Sequence, residues 1–378
     1  MSSRSNSAGK IMLPVLVCWF EHAMELRSSA IKAEIFPRIA LSLMLRKTDE
    51  RQQGRVSIMK RSELAIFDAE DVRALLDYPS CIAVVREAMK ALSSGETRQL
   101  LRTMIHMGEG RTFGLMPGAL SDRGMFGAKL ISVFAEPDNP GVRRHRGVVT
   151  LFEPIEGRPV CVADAEEITH IRTAAATAVA TEALAREDAK VLLLMGTGGQ
   201  VHSHLEALPL VRRFERILIW GRVPARIDAV VAAWRDRLPV EAAPDARIAA
   251  GEADVICTLT GARQPILLGE WLRPGTHVNL VGSSGPGPVE VDNALVLASR
   301  FIADSKASAR DAAAEFLVAK AAGLVEDDHI VAEIGEVLLG RVPGRRDAGE
   351  ITVYKSLGHA VQDLAAAAHI YEAQGARN

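Results

Sequence analysis

The chain has 378 residues, 48% of them apolar and 24% charged, with a formal net charge of −2. That length predicts more than one domain, and the near-neutral balance excludes a global field that would draw nucleic acid or an anionic membrane surface. No apolar run approaches the roughly 18 residues that span a bilayer, and four scattered cysteines (Cys18, Cys81, Cys161, Cys257) fit reduced thiols in a cytoplasmic protein better than a disulfide frame or a zinc site.

In chain order, "IMLPVLVCWF" (11–20) follows Arg4 and Lys10 but leads to no small-residue cleavage site, so export is not favoured. Residues 1–58 lack periodicity and read as a non-core extension ahead of Met59. "DAEDVRALL" then opens on an N-cap candidate, Asp68, with Asp71 in the capping-box position. "PSCIAVVREAMKALSSG" places Ile82, Val85, Ala88, Met89 and Leu92 at helical spacing and stops at Gly95. Between 99 and 163, "LLRTMIHM", "RTFGLMP", "AKLISVF", "GVVTLFEP" and "PVCVAD" are short extended runs with turn residues between them, as in an antiparallel sheet. The basic cluster "RRHR" (143–146) has no interleaved aromatics and reads as solvated loop charge rather than a nucleic-acid patch. "TAAATAVATEALA" (173–185) is helical, with small residues that permit close backbone packing.

From Lys190 the rhythm changes. "VLLLM", "RILIW", "LPVEAA", "DVICTL", "HVNLV" and "RFIAD" are apolar runs with helical stretches between them, the pattern of parallel strands buried on both faces. Six such units predict a doubly wound α/β domain ending near 340, followed by one more strand and a closing helix in "GEITVYKSLGHAVQDLAAAAHIYEAQ". The first strand runs into "MGTGGQV", a G-x-G-x-x-V pattern in which Gly196 permits a tight turn and Gly198 lets backbone N–H groups approach a pyrophosphate. The helix N-terminus that follows favours the same anion. Val201 stands where such folds usually have Gly or Ala, which implies looser helix–strand packing. The second strand ends in "IWGRVPAR", with Gly221, Arg222 and Arg226 and no acid, which favours a 2′-phosphate and hence NADP over NAD. His202 and His204, two apart on a helix, diverge too far to share an ion, and the reading assigns no metal.

The ordered set "LMPG" (115–118), "GAKLISVF" (127–134), "ITHIRTAAATA" (168–178), "MGTGGQ" (195–200), "IWGR" (219–222), "ADVICTLT" (253–260), "EIGEVLLG" (333–340) and "ITVYKSLGHAVQDLAAA" (351–367) resembles the ornithine cyclodeaminase/μ-crystallin family over residues 62–376. The resemblance implies an α/β chain: a Rossmann NAD(P)-binding domain, 173–340, and a discontinuous α+β domain, 59–172 with 341–378, that binds substrate and pairs two subunits through its sheet. By position it implies that Arg102, Lys129 and Arg172 bind a small α-imino or α-amino acid, the arginines gripping its carboxylate and Lys129 serving the imine nitrogen. It places Thr173, Gly196, Thr197, Gly198, Gly199, Gln200, Val201, Gly221, Arg222, Arg226, Thr258, Thr260 and Lys355 about the cofactor. His359 takes a usually apolar position and is given no catalytic role.

One departure orders the subfamilies. True cyclodeaminases of the family carry an aspartate in the loop after the fifth Rossmann strand, and here "VGSSGPGPVEVD" puts Ser284 there. A lone hydroxyl is a poor proton acceptor, so Ser284 is read as a hydrogen-bond donor to substrate or water, or as a residue that shapes the loop. The expectation is therefore a homodimeric NAD(P)H-dependent reductase of Δ1-pyrroline-2-carboxylate or Δ1-piperideine-2-carboxylate, giving proline or pipecolate. The alternatives are an ornithine or lysine cyclodeaminase or related amino-acid dehydrogenase, and a non-catalytic NADPH-binding protein of the crystallin kind.

Overall fold

Two sheets carry the fold. The computed structural model describes residues 64–376 except 137, 138 and 286, all within the unit Ser62–Asn378. The extension expected over 1–58, with Cys18, lies outside the described residues.

The chain begins with β1 (Ala65–Phe67), α1 (Ala69–Leu75) and α2 (Tyr78–Ser94). Asp68 accepts the N–H groups of Glu70 and Asp71 while the Asp71 carboxylate accepts that of Asp68, so the capping box forms as the spacing predicts. Helix α2 buries Cys81, Ile82, Val85, Ala88 and Met89 and ends at Gly95, in the left-handed region at φ 79°. There follow β2 (Arg98–Gln99), β3 (Thr103–His106), β4 (Thr112–Ala119), β5 (Phe126–Glu136), β6 (Asn139–Phe152) and β7 (Pro159–Asp164). They form a sheet of order β1-β7-β6-β5-β4-β2, with β3 also on β4, antiparallel except where β1 joins β7. The "RRHR" segment lies within β6 and not in a loop, a correction to the sequence reading: β6 extends until it pairs with nearly the whole of β5. Strand alternation puts Met116, Ile131, Val133, Val149 and Leu151 on a buried face, and Lys129 falls in the same series. Ile105, Phe113, Leu115, Phe126 and Phe134 are exposed.

Asp164 caps α3 (Ala165–Leu184), whose residues from Ile171 to Thr181 are all buried. The parallel part then runs β8 (Val191–Met195), α4 (Gly199–Ala207), β9 (Arg216–Trp220), α5 (Pro224–Trp234), β10 (Val240–Ala242), α6 (Ala246–Glu252), β11 (Val255–Thr258) and β12 (His277–Leu280). It continues with α7 (Asn293–Ala298), β13 (Ser299–Ala303), α8 (Lys306–Ala312), α9 (Ala314–Ala321), β14 (Ile330–Glu333), α10 (Ile334–Leu338), β15 (Ile351–Lys355) and α11 (Ala360–Gly375). The order is β10-β9-β8-β11-β12-β15-β13-β14, parallel throughout. The strand order reverses between β8 and β11, where an open α/β sheet leaves a crevice at its carboxyl ends.

All six apolar runs read from the sequence are strands of this sheet, but two more join it. β14 was not anticipated, and β15, assigned with 341–378 to the other domain, sits between β12 and β13. Its four residues Thr352–Lys355 are buried, as befits a strand covered on both faces. The chain then leaves through Ser356–His359 and packs α11 against β4, β5, β6, α2 and α3. Thus α3 and the segment from β15 to α11 join the two sheets, and the short loop between β15 and α11 arrives beside the crevice.

Candidate functional site

The turn after β8 is shaped for close approach. Gly196 has φ 143°, and a methyl group there would lie 2.8 Å from the Leu259 carbonyl oxygen, so both conformation and space demand glycine. Gly198 is the N-cap of α4; no side chain caps that end and no acid stands in its first turn. Several N–H groups are thus left for an anion. Gly221, at the end of β9, lies against Thr197. The buried Gln200 Oε1 has no hydrogen-bond partner. An open helix end, a glycine cradle and an orphaned acceptor together fit a dinucleotide. Val201, by contrast, is fully buried in the core, so its side chain secures α4 to the sheet and is not turned to a cofactor. Arg222 and Arg226 are exposed beyond β9. His202 and His204 diverge as expected: the first accepts from Trp234 Nε1, while the second bridges Gln200 O and Thr177 Oγ1.

Beside this turn opens a cleft of about 450 Å³. Arg102, Lys129, Arg172, Thr173, Gln200, Thr260 and Ser284 all line it, so residues up to 182 positions apart meet there. Lys129 reaches it from β5 and Arg172 from α3, and both are held by Asp363 of α11. Asp363 Oδ1 accepts from Lys129 Nζ at 2.9 Å and from Arg172 Nε at 2.9 Å. Lys129 also donates to Thr169 Oγ1 at 2.5 Å, which leaves one ammonium proton for the cleft. Arg172 Nη1 donates to Gln362 Oε1 at 3.0 Å, leaving Nη2 unengaged among the described residues. Arg102, from the loop between β2 and β3, is tied to two carbonyls, Ser284 O at 3.1 Å and Leu357 O at 2.9 Å, while its buried Nε–H has no partner.

Burial drives the charges here. Desolvation pushes the Lys129 ammonium down to about 8; Asp363 opposes this, while Arg172 and Arg102 add to it. Burial lowers Arg102 too, with Arg172 a lesser cause. Asp363 is itself buried, yet its two cationic partners and their hydrogen bonds outweigh desolvation and hold it below the usual carboxylate range. Three cations against Asp363 and the cleft-lining Glu166 leave an excess of positive charge, with unengaged N–H donors. That suits a small carboxylate. The three described cysteines are buried thiols, pushed up to about 12 by burial.

The wall behind the cleft rests on carboxylates that sequence reasoning did not single out. Glu290 accepts from Thr258 Oγ1, from Thr260 N and Oγ1, and from Gly282 N and Ser283 N, so it binds the loops after β11 and β12 to each other. The Thr258 hydroxyl is therefore turned to Glu290 and not to a cofactor, and that of Thr260 is likewise engaged although the residue lines the cleft. Lys355 is a further correction. It is fully buried, with Nζ donating to Ser283 O, Ser283 Oγ and Glu315 Oε2, and it lies off the cleft lining. Asp304 Oδ2 accepts from Leu357 N and Gly358 N, fixing the cleft loop, and its Oδ1 lies 3.1 Å from His359 Nε2 without hydrogen-bond alignment. Gly358, at φ 78°, allows Arg172 in: a methyl there would sit 2.8 Å from Arg172 Nη1. Ser284 lines the cleft and lends its carbonyl to Arg102.

Comparison with known proteins agrees with this geometry. Residues 62–378 match the model of the ornithine cyclodeaminase/mu-crystallin family. Ketimine reductase mu-crystallin of Mus musculus is 34% identical over 319 residues, covering 83% of this chain and 98% of the relative. The structure of Thermococcus litoralis Δ1-pyrroline-2-carboxylate reductase in complex with NADH and L-proline superposes with a TM-score of 0.79 at 29% identity, covering 83% of this chain and 98% of that one. An archaeal alanine dehydrogenase dimer with bound NAD superposes with a TM-score of 0.78 at 30% identity over 83% of this chain and 97% of that one. With a matching family model over the whole described region, beside a glycine turn that fits a dinucleotide and a cationic cleft, the chain belongs to the ornithine cyclodeaminase/mu-crystallin family.

Proposed function

We propose that the protein reduces a small cyclic ketimine carboxylate, Δ1-pyrroline-2-carboxylate or Δ1-piperideine-2-carboxylate, to proline or pipecolate, with NADPH preferred to NADH. The observation that carries this reading is the convergence of Arg102, Lys129 and Arg172 on one cleft beside the glycine turn. The Arg172 Nη2 group and the orphaned Nε–H of Arg102 bind the substrate carboxylate and so orient C2. A dinucleotide held by its pyrophosphate at the turn would, in its reduced form, supply the hydride for C2. Lys129 gives its free ammonium proton to the ring nitrogen, so that C=N becomes CH–NH with atoms and charge in balance. Thr169 and Asp363 keep the ammonium in place, and the apolar walls of Met104, Met116 and Ile131 exclude water. Ser284, with no carboxylate at that position, favours reduction over the cyclodeaminase route, which needs a base there. Arg222 and Arg226, exposed beyond β9 and with no acid at the strand end itself, favour a 2′-phosphate.

The exposed apolar face of the antiparallel sheet, with Ile105, Phe113, Leu115, Phe126 and Phe134, supports the homodimer that the family implies. Light scattering should give twice the chain mass of 40.7 kDa. Leu115→Glu should shift the species to monomer; a native monomer would remove this assignment.

Purified protein mixed with NADPH and Δ1-pyrroline-2-carboxylate or its six-membered homologue should lose absorbance of the reduced cofactor, more slowly with NADH. Arg102→Met, which removes one buried charge-assisted contact of about 1.5–3 kcal/mol, should raise KM for the imine by roughly 10- to 100-fold and leave the NADPH dissociation constant unchanged. Binding of NADPH with no oxidation by any cyclic ketimine carboxylate would sink the reductase reading, and ammonia release from ornithine would put the cyclodeaminase in its place.

With Lys129 as the acid, kcat/KM should be level at low pH and fall as pH rises through about 8, where the ammonium loses its proton. Lys129→Met should lower kcat by about 10²- to 10⁴-fold. Asp363→Asn removes the group that raises Lys129, so the falling limb should move to lower pH. A profile that ignores both substitutions would exclude Lys129 as the proton source.

A further inference from the structure

His170 is a cleft residue with no role in the scheme above. It stands two positions before Arg172 on α3, it lines the same cavity, and its ring makes no hydrogen bond, ion pair or ring contact among the described residues. Its position is unusual in one respect. The ring is packed on the first turn of α4: a methyl group on Gly199 would sit 3.2 Å from His170 Cε1 and 3.4 Å from Nε2. Gly199 is the residue after the Gly198 N-cap, where no side chain caps the helix, and the next residue, Gln200, holds a buried Oε1 without a donor. The imidazole therefore lies within reach of the space into which the free N–H groups of that turn project.

The sides of that space are complementary in kind. The backbone offers N–H donors and a positive helix end, and His170 adds a side-chain donor beside them from a different element, α3. Glu166, one turn earlier on α3, also lines the cleft and has no partner among the described residues, so it does not draw the imidazole away through a hydrogen bond or ion pair. Donors gathered beside a helix N-terminus suit an anion, and at a glycine turn between a parallel strand and a helix that anion is a dinucleotide phosphate.

We propose that His170 donates a hydrogen bond to the pyrophosphate of the bound dinucleotide, as a cofactor-binding residue that α3 places beside the glycine turn. The inference rests on the dinucleotide reading of that turn and goes beyond it, because it assigns a contact from α3 rather than from the Gly196–Gly199 segment. It separates α3 into two duties: His170 at the phosphates, and Arg172, two residues on, at the substrate carboxylate. Loss of His170 should then weaken the cofactor without weakening the imine.

Two ligands and three proteins test it. NADPH affinity is read from the change in its fluorescence on binding, and ADP-ribose, which keeps the pyrophosphate and lacks nicotinamide, is read by displacement. His170→Ala should raise both dissociation constants by about three- to tenfold, the worth of one such hydrogen bond. His170→Gln, which keeps a donor on a side chain of similar reach, should recover most of the loss, and KM for the imine at saturating NADPH should stay within about twofold for both variants. If NADPH weakens and ADP-ribose does not, His170 serves the nicotinamide end or the substrate and the proposal is overturned. Unchanged affinity for both ligands in His170→Ala, with normal binding by the unaltered chain, overturns this inference and leaves the proposed function standing. Failure of the unaltered chain to bind either ligand would end both.

Discussion

The site depends on one oxygen atom. Asp363 Oδ1 accepts at 2.9 Å from both Lys129 and Arg172, and all three side chains are almost wholly buried. Two cations placed together in a space of low polarity repel each other and resist desolvation. The aspartate offsets part of both penalties, and it does so from a third element, so a strand, a helix and the closing helix must assemble in register before the cleft exists. Its other oxygen is buried with no partner. The carboxylate is therefore not saturated, and it holds the cations without exhausting their donors. Complete pairing would have made an inert core ion pair; partial pairing leaves a site.

The surrounding architecture repeats this arrangement with other carboxylates. Glu290 joins the loops after β11 and β12, Asp304 orders Leu357 and Gly358, and Glu315 neutralises the buried Lys355. Each sits at the carboxyl end of the parallel sheet or behind it, and each uses its oxygens to gather backbone N–H groups or a buried ammonium. Loops at that edge would otherwise carry unpaired donors. Their consequence is rigidity where Arg102 must be steered by two backbone carbonyls and where Gly358 must leave room for Arg172. Preorganisation of this kind places charge before the substrate arrives, which is where electrostatic catalysis draws its advantage.

How much of this was legible in the sequence depended on whether the constraint was local. The glycine turn, the capping box at Asp68 and the six apolar strands announce themselves within a few residues, and Lys129 and Arg172 stand in recognisable segments. Asp363 stands in a recognisable segment, but its role cannot be read there, because its meaning comes from Arg172, 191 positions away, and Lys129, 234 away. A composition signal existed: in the run "LGHAVQDLAAAA" Asp363 is the one acid and no Lys or Arg accompanies it, which asks what neutralises it. Lys355 misled for the complementary reason. A charge near a cofactor segment looks like a ligand until Glu315 is seen to take it. The strand "ITVYK" was recognised as a strand, but a strand does not state which sheet it joins, and only the pairing with β12 and β13 placed it.

The central claim is that the buried cations exist to seize a carboxylate next to the dinucleotide turn. Calorimetric titration of the NADPH complex with pyrrole-2-carboxylate and with pyrrole-2-carboxamide, two planar ring compounds of nearly equal size, isolates that feature. The account predicts that the acid binds and that the amide binds roughly 100-fold more weakly, since two charge-assisted contacts are lost together. Equal affinity for the two compounds would contradict it.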